Sequence, residues 1–134
     1  MSNQEKKLSI SLLFIRLSVF LVMFMWTIDK FINPGHATKI FEKFYYISGL
    51  ETLVIYGIAT LEMAILVLFL AGYHKKFTYG AVLVFHAVST FSAFQQYLTP
   101  FEGNHLLFFA AWPMLAACFM LFMLRDKDTL SLGR

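Results

Sequence analysis

The stretch "LSISLLFIRLSVFLVMFMWTI", residues 8–28, is an almost unbroken apolar run that contains one charged side chain, Arg16. An α-helix needs about 20 such residues to cross a bilayer. Three further runs reach this length, at about 52–72, 77–97 and 100–124. The runs are continuous rather than alternating, which favours helices over strands. The sequence therefore predicts an all-α integral membrane four-helix bundle, built as a single transmembrane domain over residues 1–134.

The composition favours the same class of protein. The chain is 59% hydrophobic and 14% charged, whereas a soluble domain has about 25% charged residues. The formal net charge is +3, but the basic residues stand at the ends of apolar runs, so we predict the lipid bilayer as partner and no nucleic acid. The one cysteine, Cys118, excludes a self-contained dithiol oxidoreductase.

The orientation is predicted from the distribution of Lys and Arg. Cytoplasmic loops of membrane proteins are enriched in these residues. Seven basic residues lie on one side of the predicted spans: Lys6, Lys7, Lys75, Lys76, Arg125, Lys127 and Arg134. Three lie on the other: Lys30, Lys39 and Lys43. We therefore expect a protein of the bacterial inner membrane with both termini in the cytoplasm.

Two local patterns predict helix starts outside the first three runs. Asn33 followed by Pro34 is a start signal, and apolar residues then recur at helical spacing: Ile40, Phe41, Phe44 and Ile47. A short amphipathic helix on the outer membrane surface, between helices 1 and 2, fits this pattern. Thr99, Pro100 and Glu102 resemble a capping box and predict that the fourth span begins there.

Three ionisable residues, Arg16, Glu62 and His86, lie inside the apolar runs. Charges within a membrane are costly, so they face the interior and find partners. From the helical rise, all three are expected at a similar depth, roughly 10–15 Å above the cytoplasmic edge. They are predicted to border a ligand site, with a quinone head group or a lipid as the candidate ligand and no intrinsic cofactor. The alternative is a structural Arg16–Glu62 ion pair.

The third run also carries a stripe of polar and small residues at helical spacing, namely His86, Ser89, Thr90, Ala93 and Gln96 or Tyr97. Such a stripe suits close helix packing as well as a ligand site. Near the outer surface the sequence places a rim of polar residues: Asp29, Lys30, His36, Gln96 and His105. The spacing of the His and acidic residues there matches no metal motif, so no metal site is predicted.

The early arginine and the acid-lysine-phenylalanine step in "LLFIRLSVFLVMFMWTIDKFINP", followed by "LEMAILVLFLAG" and a short basic turn, resemble the DoxX family of small four-helix membrane proteins. The matching residues are Arg16, Asp29, Lys30, Phe31, Pro34 and Glu62. Relatives include a thiosulfate:quinone oxidoreductase subunit, a protein needed for methylamine dehydrogenase maturation, and membrane chaperones. The resemblance implies a place in a membrane redox system.

The predicted function is therefore an accessory or anchor subunit of such a system, which binds quinone or lipid within the bundle and contacts a membrane or periplasmic protein partner. No catalytic motif is present, so any enzymatic role would belong to a quinone-linked oxidoreductase as a whole. Two alternatives stay open. One is a non-enzymatic assembly factor or chaperone that packs against partner helices, and the other is a small transporter acting as a homo-oligomer.

Overall fold

The computed structural model describes residues 2–133, which contain helices and no strand. The helices are α1 (Asn3–Ile32), α2 (Pro34–Phe44), α3 (Thr52–Ala71), α4 (Lys75–Ser92), α5 (Phe94–Leu98), a 3-10 helix (His105–Ala110), α6 (Ala111–Met123) and a second 3-10 helix (Arg125–Lys127). The all-α class is confirmed. Arg134, which contributes to the predicted orientation, lies outside the described residues.

The first two predicted spans fall on α1 and α3. The hydroxyl of Ser2 accepts a hydrogen bond from the backbone N–H of Glu5 at 3.1 Å and so caps the start of α1. The end of α3 is closed by Gly72, whose φ of +77° is the left-handed conformation that glycine adopts without strain. These local signals set the start of α1 and the end of α3. Helix α3 matches its predicted span of 52–72, whereas α1 extends beyond the predicted 8–28 at both ends.

The short helix predicted between the first two spans is confirmed as α2. Asn33 is its N-cap residue, and Pro34 occupies the first helical position, where a missing N–H costs nothing. The backbone N–H of Asn33 donates to the carbonyl of Asp29 at 2.7 Å. The chain thus turns directly from α1 into α2.

The predicted third and fourth spans differ from the structure. The helix of the third span ends at Ser92, and residues 93–104 form the short α5 and turns before the 3-10 helix begins at His105. Thr99 is the C-cap of α5 and not the N-cap of the next helix. The physical reason is Pro100, which disfavours helical φ and ψ at the residue before it, together with Gly103 at a φ of +50°.

The core lies between α1, α3, α4 and α6. Helix α1 packs against α3 and α6, and α4 packs against the same two helices. All four helices contribute to the buried apolar cluster: Leu12, Val19 and Met23 from α1, Leu66 and Phe69 from α3, Tyr79 and Val82 from α4, and Cys118 and Leu121 from α6. Cys118 is thus a core residue.

Within residues 2–133, three helical segments are long and apolar enough to cross a membrane: Asn3–Ile32, Thr52–Ala71 and His105–Met123. Each exposes large apolar side chains, such as Phe14, Leu61 and Phe119. A soluble monomer rarely exposes contiguous apolar surface on this scale. This surface is consistent with a location in a membrane.

Candidate functional site

Arg16 is buried, and its guanidinium binds the C-terminal part of the chain. Its Nη1 donates to Asp128 Oδ2 at 2.6 Å and to the Tyr79 hydroxyl at 3.2 Å. Its Nη2 donates to the carbonyl of Leu130 at 2.6 Å. Asp128 is 0% exposed and also accepts a hydrogen bond from the Tyr79 hydroxyl at 2.5 Å. The charge of Arg16 is therefore compensated by an acid that follows the last long helix.

The segment 128–133, which we call the C-terminal segment, binds three of the long helices. Besides Arg16 of α1, the hydroxyl of Ser9 on the same helix forms a hydrogen bond with the Thr129 hydroxyl at 2.8 Å. The backbone N–H of Leu132 donates to the carbonyl of Ala71, at the end of α3, at 2.8 Å. Lys75, at the start of α4, donates from Nζ to the carbonyl of Asp128. The segment thus joins α1, α3 and α4 at one end of the molecule.

A cavity of about 1240 Å³ lies between α1, α2, α3, α4, the 3-10 helix at His105–Ala110 and α6. We call it the central cavity. Its lining is mostly apolar and includes Ile15, Val22, Trp26, Ile40, Phe41, Phe44, Phe85, Phe108 and Met114. Phe14 and Ser18, which are exposed on α1, also line it, so the cavity reaches the apolar outer surface. Large apolar cavities with a few convergent polar groups are typical ligand sites.

Glu62 and Lys30 form an ion pair in the wall of the central cavity. Lys30 Nζ lies 2.9 Å from Glu62 Oε2, and both side chains are about one-fifth exposed, at 18% and 23%. The Thr27 hydroxyl lies 3.2 Å from the same oxygen and 2.9 Å from the Met23 carbonyl oxygen, to which it donates. The carboxylate of Glu62 is therefore held toward α1 by Lys30.

His86 lies in the wall of the same cavity and is 1% exposed. Its Nε2 lies 2.9 Å from the carbonyl oxygen of Ala111, at the junction of the 3-10 helix and α6. Its ring stacks on Trp26, with centroids 6.0 Å apart. The Nδ1 atom is buried and has no hydrogen-bond partner within residues 2–133.

The polar stripe predicted on the third run, which α4 and α5 share, faces this cavity rather than the outside. Ser89, Thr90, Ala93 and Tyr97 all line it along with His86. The Ser89 hydroxyl forms a hydrogen bond with the Tyr45 hydroxyl at 2.8 Å and so connects α4 to the end of α2. Gln96, the alternative member of the predicted stripe, is not among the lining residues.

The residues of the predicted outer rim do not form one cluster but lie in four separate places. Asp29 Oδ2 and His36 Nδ1 form a half-exposed pair at 2.6 Å, while Lys30 turns inward to Glu62. Gln96 is buried. The remaining rim residue, His105, has its Nδ1 2.8 Å from the Thr99 carbonyl oxygen and 3.0 Å from the Thr99 hydroxyl. Across residues 2–133 no group of three or more His, Cys, Asp or Glu is arranged to hold a metal ion.

The structure brings Glu62 and His86 to one cavity but separates Arg16 from them. Glu62 contacts Thr27 and His86 stacks on Trp26, whereas Arg16 lies ten or eleven residues earlier on α1, a rise of roughly 15 Å. The expectation that all three meet at one depth is therefore wrong, and so is the alternative of an Arg16–Glu62 ion pair. Equal depths require spans that begin at one level, but α1 starts at Asn3 and runs for 30 residues. That Glu62 and His86 bind a ligand stays a prediction.

Asp128 and Tyr79, which bind Arg16, and Trp26, which stacks on His86, are functional neighbours that the sequence does not predict. A signal exists for Asp128, because a buried arginine requires an acid and the chain has only eight Asp and Glu residues. No such signal exists for the Ala111 carbonyl that binds His86. Comparison of the chain with protein-family models, curated proteins and solved structures finds no match. The resemblance to the DoxX family stays a prediction.

Proposed function

We propose that this chain is a four-helix membrane protein that binds an amphipathic, long-chain ligand in the central cavity. The observation that carries the proposal is the cavity itself. Its volume of about 1240 Å³ and its mostly apolar lining suit an alkyl chain, and Glu62, Lys30 and His86 offer polar contacts to a head group. The exposed Phe14 and Ser18 at its wall would let a ligand enter from the bilayer.

We treat α4 as the fourth span, although it is not among the three segments whose length and apolarity alone suffice to cross a membrane. Its polar residues Thr78, His86 and Thr90 are all buried. Apart from Lys76 in its first turn, its exposed large side chains are apolar: Phe77, Val84, Val88 and Phe91. A helix with its polar face inward and its apolar face outward is suited to lipid. These buried polar residues therefore lower the hydropathy of α4 without reaching its outer surface.

The orientation can be tested by cysteine labelling in intact cells. Cys118→Ser removes the natural thiol, and single cysteines then replace the exposed Lys76 or Glu102. With both termini in the cytoplasm and α4 spanning the bilayer, a membrane-impermeant maleimide should label position 102 from outside. Position 76 should react only after the cells are permeabilised. Labelling of both positions from one side would contradict a spanning α4.

The role in a redox system comes from the resemblance and not from the geometry. The chain would serve as an accessory or anchor subunit that holds quinone or lipid for a membrane or periplasmic partner. Co-purification from native membranes tests this part. A partner that carries a redox centre would support the role, and recovery of the chain with no such partner would argue against it.

Ligand binding is tested by extracting the purified protein and identifying bound amphiphiles by mass spectrometry. Ala117 lines the cavity, whereas its neighbour Ala116 is exposed and does not. Ala117→Phe should reduce the bound ligand because the ring occupies cavity volume, and Ala116→Phe is the matched control. Ser18→Trp, at the exposed part of the wall, should also reduce it if Ala117→Phe fails to fold. Equal ligand content in all variants would refute the proposal.

A further inference from the structure

The hydrogen-bonding state of the central cavity limits the head group that it can accept. Most polar side chains in its wall already have partners: Glu62 binds Lys30, and Ser89 binds Tyr45. The Thr27 hydroxyl donates to the backbone carbonyl of Met23, and the Thr90 hydroxyl donates to the backbone carbonyl of His86. Two buried polar atoms in its wall have no partner from the described chain, namely Nδ1 of His86 and the hydroxyl of Tyr97. A buried polar atom of this kind is costly unless something binds it.

The bond to Ala111 determines what His86 can offer. A backbone carbonyl only accepts hydrogen bonds, so the Nε2 atom 2.9 Å from it must carry the proton. In the neutral imidazole the other nitrogen, Nδ1, is then an acceptor. An imidazolium would need an acid beside it at this depth. The two acids that line the cavity, Asp29 and Glu62, are bound to His36 and Lys30.

The Tyr97 hydroxyl can donate or accept and so does not discriminate between head groups, whereas His86 Nδ1 can only accept. We infer that the cavity, at His86, selects ligands whose head group is a hydrogen-bond donor, namely a hydroxyl on a long apolar body. The hydroxyl donates to Nδ1 of His86, and the apolar body occupies the rest of the cavity. This inference rests on the proposed function and specifies its ligand. The hydroxyl is either that of a reduced quinone or that of a hydroxyl-bearing lipid.

The selectivity is directional, because a carbonyl head group has no proton to donate. An oxidised quinone in the same position would leave Nδ1 without a partner and place its own oxygen against a lone pair. A methyl ether in this position also has no proton to donate to Nδ1. Since an unsatisfied buried acceptor costs about as much as a lost hydrogen bond, the hydroxyl form should bind roughly tenfold more tightly.

The test uses 4-decylphenol and 4-decylanisole, which differ only in O–H against O–CH₃. Each is titrated into the full chain in nanodiscs, and occupancy is measured by native mass spectrometry. The phenol should bind about tenfold more tightly than the anisole. In His86→Phe, which keeps a ring to stack on Trp26, the two affinities should become equal. If His86→Phe increased the affinity for the anisole and left the affinity for the phenol unchanged, a hydrogen bond to Nδ1 would be contradicted.

Two results separate failure of this inference from failure of the proposed function. Saturable binding of phenol and anisole with equal affinity in the wild-type chain would overturn the selectivity and leave the amphipathic site intact. This result does not depend on the folding of His86→Phe. Absence of saturable binding for both compounds would overturn the proposed function as well.

Two further binding measurements identify which kind of molecule supplies the hydroxyl. Decylhydroquinone is compared with decylquinone, and 1-hexadecanol represents an aliphatic hydroxyl. Tight binding of the hydroquinone with weak binding of the alcohol would support a reduced quinone, and comparable binding of the two would support a hydroxyl-bearing lipid. An oxidised quinone that binds as tightly as its hydroquinone would overturn the inference.

Discussion

Replacement of Asp128 by Asn tests whether the buried contacts of Arg16 stabilise the fold. The Asp128 carboxylate accepts from Arg16 Nη1 at 2.6 Å and from the Tyr79 hydroxyl at 2.5 Å. The amide removes the negative charge and leaves the guanidinium 2% exposed with only neutral acceptors. Two hydrogen bonds to a charged group, at about 1.5–3 kcal/mol each, become hydrogen bonds to a neutral amide oxygen, at about 0.5–1.5 kcal/mol each, which gives a loss of about 2–3 kcal/mol. Removing one partner of a buried ion pair outright costs about 3–5 kcal/mol, so we expect a loss of about 2–5 kcal/mol.

The free energy of unfolding is measured by reversible SDS titration in mixed micelles. Asp126→Asn is the matched control. Asp126 is exposed and takes part in none of the ion pairs within residues 2–133. Its replacement should change the free energy of unfolding by no more than about 0.5 kcal/mol. The double variant Arg16→Leu, Asp128→Leu should recover much of the loss, because an apolar replacement of a buried pair is often neutral. Equal stability of Asp128→Asn and Asp126→Asn would refute the account of the C-terminal segment.

Two further predictions concern the same segment. Gly72→Ala should destabilise the protein by about 1–3 kcal/mol, because Gly72 has a φ of +77° and an added Cβ would lie 2.4 Å from Ser131 Cβ. Gly57→Ala should instead stabilise α3 by about 0.5–1 kcal/mol, because an added Cβ there would meet no described atom within 4 Å beyond its chain neighbours and the backbone of its own helix. The same SDS titration measures both. Ser9→Ala should lower the free energy of unfolding by about 1 kcal/mol, because it removes the hydrogen bond to Thr129. Ser11→Ala, at an exposed position of the same helix, should leave it unchanged. Equal effects at the two positions would contradict the Ser9–Thr129 contact.

The helices could be predicted where local sequence determines them. The apolar run around Arg16, the Asn33–Pro34 start signal and the length of α3 all depend on nearby residues. The turn at 99–104 was misread, because Thr99, Pro100 and Glu102 form a helix-start pattern while the same proline disfavours helix at the residue before it.

The partners of the ionisable residues could be predicted only in part. The sequence indicates that Arg16 needs an acid but not which acid, because Asp128 lies 112 residues away in a segment that local patterns place outside the spans. Depth estimates failed for Glu62 because they assume helices that begin at the same level. The partner of His86 is a backbone carbonyl exposed at a helix junction, and side-chain patterns carry no information about it.

The central claim is that the cavity holds an amphipathic ligand, and Trp26 provides the most direct measurement. Trp26 lines the cavity, and the other tryptophan, Trp112, does not. In the Trp112→Phe variant, a 4-decylphenol brominated on its alkyl chain should quench Trp26 fluorescence saturably near one equivalent, and unbrominated decylphenol should reverse the quenching. The Trp26→Phe variant should show only weak quenching that rises in proportion to total ligand. Non-saturable quenching of Trp26 that decylphenol does not reverse would contradict the claim.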